Sequence, residues 1–163
     1  MYPMKWITQK AKWSFLILLT LFIGCDAEIP PKKALSQELA PQYQLVQEGR
    51  TGAARVQIRR WIDSNAPQSD AYFLMGLSYH NEKKYGKAVE WFSKSAECVN
   101  VYVPTWHFLG WAEFYLGNIS ASKKAFEQFL FFHPNEPDSQ FGLGLIALEE
   151  GNLDQAKHSF QSA

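Results

Sequence analysis

Apolar and small residues recur along this chain at a fixed interval of 34 residues. Each set of recurring positions contains one kind of side chain, and several independent sets agree on the same interval. The sets are the glycines Gly76, Gly110 and Gly144, the phenylalanines Phe92, Phe126 and Phe160, and the small residues Ala88, Ser122 and Ala156. Agreement of several positions at one period is typical of an array of helical repeats.

Within each period the apolar residues are spaced three or four apart, which predicts two amphipathic helices per repeat. The helices are expected in antiparallel pairs at about 69–82 and 85–97, about 104–116 and 119–132, and about 138–150 and 153–162. Because one pair cannot bury its apolar face alone, neighbouring pairs must stack.

Residues that favour helix ends stand at these boundaries. Gly117-Asn118 and Gly151-Asn152 each combine a glycine that ends one helix with an asparagine that caps the next. Pro104 suits a first helical position, where no amide donor is lost, and so does Pro137.

The recurring glycines fall in the middle of the first helix of each pair. A glycine there costs about 1 kcal/mol relative to alanine. A close approach of the two helices explains such glycines, and we expect Gly76, Gly110 and Gly144 to pack against Ala88, Ser122 and Ala156.

Residues 36–66 form a weaker copy of the same pattern. Gly49 is in phase with Gly117, Ala54 takes the small position, and Ile58 replaces the phenylalanine. A helix is expected at about 52–64, and Pro41 should shorten or kink the helix before it. The predicted apolar face of the 52–64 helix consists of Val56, Ile58, Trp61 and Ile62.

The order of residues within the period resembles the tetratricopeptide repeat, closely over about 69–163 and weakly over about 36–68. The matching positions are Tyr72, Met75, Gly76, Tyr79, Ala88 and Phe92 in one copy, Trp106, Leu109, Gly110, Ala121 or Ser122, Phe126 and Pro134 in the next, and Leu143, Gly144, Ala156, Phe160 and Ala163 in the last. Glu113 stands where the family has tyrosine, and Phe129 where it has a small residue. The resemblance implies an all-α, right-handed solenoid of antiparallel helix pairs with three clear repeats and one degenerate repeat.

The first 25 residues are typical of a targeting segment. Three lysines precede an uncharged run of about 12 residues, which is shorter than the ~20 that span a bilayer. The run ends in Gly24-Cys25, and the stretch 21–25 resembles the bacterial lipobox, although Phe22 stands where leucine is usual. The resemblance implies a lipid on Cys25. An uncleaved membrane anchor and an ordinary secretory signal are the alternatives.

Asp26 follows the cysteine directly, and this position resembles the signal that retains some lipoproteins in the inner membrane. We therefore expect the periplasmic face of the inner membrane, or else the outer membrane. Pro30-Pro31 forbids helix and favours an extended tether. The expected organisation is a signal peptide at 1–24, the lipid site and linker at 25–35, a degenerate repeat at 36–68, and repeats at 69–102, 103–136 and 137–163, the last incomplete.

The charge balance argues against nucleic acid as a partner. The formal net charge of the chain is zero, with 16 basic and 16 acidic residues. Removal of residues 1–24, which contain three lysines and no acid, leaves 13 basic against 16 acidic side chains. Binding to phosphates requires clustered lysine and arginine, and no basic run occurs.

No arrangement of residues in the sequence predicts catalysis, a cofactor, a metal site or a small-molecule substrate. The four histidines, His80, His107, His133 and His158, lack the spacing that places two metal ligands on one helix face. No phosphate-binding loop or nucleophile–histidine–acid set is present. Cys98 is expected to be a partly buried, inert thiol, with pairing between chains as the alternative.

The resemblance places the inner face of each repeat's first helix along a concave groove. The side chains predicted to line the groove are Phe73, Leu77, His80, His107, Trp111, Phe114, Tyr115, Phe141, Leu145 and Leu148. Their spacing of three to four puts them on one stripe of each helix, and a stripe of core residues is the alternative. The lysine and asparagine pattern with which some family members grip a peptide carboxylate is absent. An apolar groove suits an amphipathic helix or an extended hydrophobic peptide.

These features predict a non-enzymatic, membrane-tethered scaffold that binds an envelope protein. The chain resembles bacterial repeat lipoproteins that assist envelope machines, such as pilotins of pilus secretins and adaptors of cell-wall hydrolases. A regulatory arm of a longer envelope enzyme and a soluble periplasmic repeat protein are the alternatives.

We predict that Cys25 is acylated, because a short apolar run ends in Gly24-Cys25. Metabolic labelling with an alkyne analogue of palmitate should mark the wild-type protein and leave Cys25→Ser unlabelled. Equal labelling of the two proteins would exclude the lipoprotein assignment.

Overall fold

The computed structural model describes residues 34–163, so Cys25, Asp26 and most of the linker lie outside it. A 3-10 turn, Gln37–Leu39, opens the described part of the chain. Eight α-helices follow there: α1 Ala40–Gln47, α2 Thr51–Ser64, α3 Ser69–Asn81, α4 Tyr85–Ala96, α5 Pro104–Tyr115, α6 Ile119–Phe132, α7 Pro137–Glu149 and α8 Leu153–Ser162. Residues 34–163 contain no strand, and none of their helices is long and apolar enough to cross a membrane.

The helices pack in consecutive pairs. α1 lies on α2, α3 on α4, α5 on α6, and α7 on α8, and the second helix of each pair also packs against the first helix of the next. The first helices α3, α5 and α7 contact one another in turn. This arrangement confirms the predicted all-α solenoid, and the predicted helices match the observed ones to within one or two residues at each end.

The turns inside the helix pairs require a left-handed backbone at one position of the repeat. Gly49, Gly117 and Gly151 occupy it with φ of 75°, 77° and 74°. In the second pair the same position holds Lys83, with φ of 58°. Glycine adopts this conformation without steric cost, so three of the four turns use the residue that suits the geometry.

The predicted asparagine caps hold for one of the two residues. Asn152 Oδ1 accepts a hydrogen bond from the backbone N–H of Gln155, 3.1 Å away, at the start of α8. Asn118 makes no such cap at the start of α6. Its side-chain amide instead donates to Glu113 Oε2 at 2.7 Å, because this repeat has a carboxylate where the family has tyrosine.

A phenylalanine ring, and not a small residue, lies against each mid-helix glycine. A Cβ added to Gly110 would come within 2.6 Å of the Phe126 ring, and a Cβ on Gly76 within 2.5 Å of the Phe92 ring. This corrects the predicted contact with Ala88 and Ala156. Ser122 does reach its glycine, since its hydroxyl donates to the carbonyl oxygen of Gly110 at 2.8 Å.

The first pair, α1 and α2, is shorter and partly exposed, as its degenerate sequence predicts. Pro41 lies in the first turn of α1, which has eight residues, so the helix is shortened and not kinked. Ala54 and Ile58 are buried, but Val56 is 54% exposed. Val56 therefore does not belong to the buried face that the sequence predicted.

Glu82, at the end of α3, joins this first pair to the second. Its carboxylate accepts hydrogen bonds from Lys84 and from Thr51, and it lies 2.7 Å from the Arg55 guanidinium. The bonds from Lys84, Thr51 and Arg55, in that order, lower the pKa of Glu82 to about 2. Because Thr51 and Arg55 are both on α2, the carboxylate fixes that helix to α3.

We predict that Gly110→Leu lowers the free energy of unfolding by about 1–3 kcal/mol, because the new side chain must displace the buried Phe126 ring. The measurement is the urea midpoint. Gly86→Leu is the matched control, since Gly86 is also helical and nothing lies within 4 Å of its absent Cβ. An unchanged midpoint for Gly110→Leu would show that this contact does not restrain the helices.

Candidate functional site

Two of the residues predicted to line the groove belong to the core. Phe73 is 3% exposed and Leu77 is 7% exposed. The Phe73 ring contacts Phe108 and Tyr102 of the following repeat, with centroids 5.5 and 4.8 Å apart. This burial corrects the expectation that Phe73 and Leu77 form open groove surface.

The other predicted residues reach the surface to different extents. Tyr115 is 53% exposed, Phe141 45% and Leu148 46%. Trp111, Phe114 and Leu145 are partly buried. Exposed apolar surface on the first helices is therefore concentrated in the third and fourth pairs, on α5 and α7.

A stack of aromatic rings crosses from the second pair to the third. Tyr115 lies between Tyr85 and Trp111, with centroid distances of 4.6 and 5.9 Å and ring planes inclined by 24° and 28°. Trp111 in turn meets the buried Phe126 edge-on at 5.2 Å. We call Tyr85, Tyr115 and Trp111 the aromatic stack. Tyr85 was missed from the sequence because it lies on the second helix of its pair, whereas only first helices were searched for groove residues.

His80 lies beside the stack in an apolar environment. Its ring centroid is 5.4 Å from Tyr85, 5.6 Å from Phe108 and 6.5 Å from Tyr115, and its Nε2 is buried without a hydrogen-bond partner. Burial lowers the pKa of His80 below its ordinary value of 6.5. The same repeat position holds Phe114 in the next pair, so the site suits an apolar side chain.

His107 is a structural histidine at the junction of the third and fourth pairs. Its Nδ1 lies 2.7 Å from the Ser139 hydroxyl, and its ring packs against Phe108 and Phe129. Burial lowers the pKa of His107, while Asp138 has a smaller opposing effect. Ser139 is fully buried, which places its hydroxyl out of reach of a substrate. Phe129, which replaces a small family residue, is accommodated beside His107 and is 7% exposed.

The remaining polar candidates do not converge. His133 stacks on Phe129 at 4.9 Å, and His158 is exposed. Cys98 is partly buried, with its sulfur 3.4 Å from the Lys94 carbonyl oxygen. Among residues 34–163, no group of three His, Cys, Asp or Glu side chains could hold a metal ion.

Side-chain cations cover exposed aromatic faces on the second pair. Arg55 and Lys87 lie 4.6 and 5.6 Å from the Tyr79 ring centroid. The charged groups of Arg59 and Lys94 similarly lie 5.0 and 4.4 Å from the Trp91 ring centroid. These rings are already occupied, in contrast to Tyr115, whose neighbours are other rings.

Comparison with known proteins agrees with this architecture. Two sequence models described as Tetratricopeptide repeat match residues 69–97 and 109–162. Among solved structures, a crystal structure of MamA superposes with a TM-score of 0.69 at 16% identity, over 74% of this chain and 71% of that one. A structure of MamA from MSR-1 superposes with a TM-score of 0.64 at 21% identity, over 94% of this chain and 86% of that one. No curated protein matches the chain.

We predict that His80→Phe makes stability less dependent on pH. The folded state holds the His80 pKa below 6.5, so the unfolded chain takes up the proton more readily. The stability present above pH 6.5 is therefore lost as pH falls through the folded pKa. Urea midpoints between pH 7.5 and 5 should fall less steeply for His80→Phe than for wild type.

His158→Gln controls for loss of a histidine, because that side chain is exposed. His107 has a lowered pKa of the same origin and keeps part of the slope in His80→Phe. Parallel pH profiles for His80→Phe and wild type would show that burial of His80 does not govern stability.

Proposed function

We propose that this chain, whose residues 69–97 and 109–162 are tetratricopeptide repeats, is a membrane-tethered scaffold that binds an envelope protein in its groove. Stacked helix pairs of this kind form extended concave surfaces for binding other proteins. The tether is the lipid predicted on Cys25. The chain's own contribution is the positioning of the aromatic stack.

The observation that carries the proposal is the exposure of Tyr115 within a fixed stack. More than half of this side chain is open to solvent, yet its ring is held between Tyr85 and Trp111. An aromatic ring already held in one orientation loses little conformational freedom on binding. Such rings often dominate the energetics of protein interfaces.

The surroundings of the stack favour an apolar ligand. Trp111 and Phe114 meet edge-on at 5.9 Å, and Phe114 meets Tyr115 at 6.1 Å. Leu145 follows at the position of Trp111 in the fourth pair. We infer that the groove receives either the apolar face of an amphipathic helix or an extended hydrophobic segment.

The targeting segment supports a location in the cell envelope. If Cys25 carries the lipid, residues 26–35 are the tether, and at ~3.3 Å per residue ten extended residues reach about 33 Å from the bilayer. This length allows the groove to meet a component of an envelope machine, as in pilotins and related adaptors.

We predict that position 115 contacts the partner in the cell. A photo-crosslinking amino acid, benzoylphenylalanine, at position 115 should form a discrete covalent adduct on illumination. The same residue at position 131 is the control, because Phe131 is also an exposed aromatic, at 65%, but lies on the second helix α6 outside the groove. Absence of an adduct at 115, or equal adducts at both positions, would argue against the groove.

Tyr115→Ala should remove the adduct partner from affinity-purified protein while lowering stability little. Trp111→Ala is less informative, because Trp111 also packs on Phe126 and its loss should lower stability as a core substitution does, by roughly 3–5 kcal/mol. Undiminished copurification with Tyr115→Ala would contradict the proposal.

A further inference from the structure

The fourth helix pair exposes an apolar surface on the side away from the third pair. We call Phe141, Leu148, Leu153 and Phe160 the end face. Phe141 is 45% exposed, Leu148 46% and Leu153 68%, and Phe160 is partly buried. No helix of residues 34–163 follows α8 to cover it.

The second pair has the same surface, with each position 68 residues earlier, and there it is covered. The equivalents of the end face are Phe73, His80, Tyr85 and Phe92. Phe108 of α5 packs on three of them, with centroid distances of 5.5 Å to Phe73, 5.6 Å to His80 and 6.2 Å to Phe92. Tyr115 of α5 stacks on the fourth, Tyr85, at 4.6 Å.

The geometry of the end face reproduces this template. The Phe141 and Phe160 ring centroids are 5.4 Å apart at an angle of 47°, and the Phe73 and Phe92 centroids are 5.9 Å apart at 35°. Covering the surface reduces Phe73 to 3% exposure, whereas its equivalent Phe141 remains 45% exposed. The end face therefore has the shape and composition that accept a helix such as α5.

The third pair shows that a different face selects a different helix. There α7 is the covering helix, and it presents Gly142 to the Phe126 ring and the Ser139 hydroxyl to His107. Phe141 replaces that histidine in the end face and offers no hydrogen-bonding atom. A helix with aromatic side chains therefore matches the end face better than a helix with the small and polar residues of α7.

The opposite end of the solenoid does not complement the end face. The residues of α1 that correspond to Phe108 and Tyr115 are Ala40 and Gln47, and both are exposed. These side chains provide no aromatic ring for Phe141 or Leu153. Head-to-tail stacking of copies is thus disfavoured, and the surface requires a helix of other composition.

We propose that the end face binds an amphipathic helix of another protein that presents two aromatic residues seven positions apart, as Phe108 and Tyr115 are in α5. Such residues lie on one side of a helix, two turns apart. One ring would cover Phe141 and Phe160, and the other would pack on Leu148 and Leu153. This site is separate from the aromatic stack, because Leu153 and Phe160 belong to α8.

A peptide of residues 102–118, with lysines added at both ends and a fluorescent label, is the probe. Titration of the full chain, purified in detergent, should give saturable binding by fluorescence anisotropy. Leu153→Glu should weaken it about tenfold or more, as truncation of an interface anchor commonly does. Leu153 begins α8 and is exposed, so a glutamate there is compatible with folding and favourable near the helix N-terminus.

Phe131→Glu is the matched control, since it places the same charge at an equally exposed apolar residue outside the end face. It should bind the peptide as wild type does, and a peptide with Phe108→Ser and Tyr115→Ser should bind neither protein. Tyr115→Ala in the protein should leave peptide binding intact, so the end face and the groove can fail separately.

Absence of saturable binding, or equal binding by wild type and Leu153→Glu, would overturn the proposal. Sedimentation of the wild-type protein tests for a second copy at this face. A dimer that Leu153→Glu dissociates would assign the end face to self-association and would also overturn the proposal.

Discussion

Contact between a phenylalanine ring and a glycine backbone sets the separation of the helices in this protein. Phe126 is fully buried, and a Cβ on either Gly110 or Gly142 would come within 2.6 or 2.7 Å of its ring. One ring is thus held between the first helix of its own pair and that of the next. Because neither glycine has a side chain, the backbones approach closely enough for the ring to fill the space between them. The 34-residue period is the sequence record of this repeated contact.

The placement of these rings leaves other aromatic residues at the surface. Phe92 and Phe126 fill the interior, so Tyr85, Trp111 and Tyr115 stack above them and not between the helices. The same crowding removes water from His80 and leaves its Nε2 without a partner. A core residue of phenylalanine or leucine would be more favourable there, since an unsatisfied buried polar atom costs roughly 1–3 kcal/mol. The scaffold therefore combines rigid aromatic surface with a local cost in stability.

The two ends of the described solenoid differ in chemistry although they derive from one repeat. At the first pair, polar residues such as Gln44 and Gln47 face solvent, and Asp70 accepts hydrogen bonds from the backbone and hydroxyl of Ser36. At the fourth pair, Phe141 and Leu153 face solvent. A polar end resists stacking and an apolar end favours it, because only the latter gains from removal of apolar area from water. This asymmetry gives the end face a direction of assembly that the groove alone does not have.

The sequence by itself determined the helices, their pairing and their turns. These depend on local features such as the periodic apolar residues, the glycines Gly117 and Gly151, and the prolines Pro104 and Pro137, which act through their own backbone geometry. It also identified the stripe that carries Trp111 and Tyr115. Only the tertiary structure decided which members of that stripe are core, because exposure depends on the residue that the next repeat supplies. Phe73 is buried since Phe108 and Tyr102 cover it, whereas Phe141, 68 residues later on the same stripe, has no such neighbour in residues 34–163.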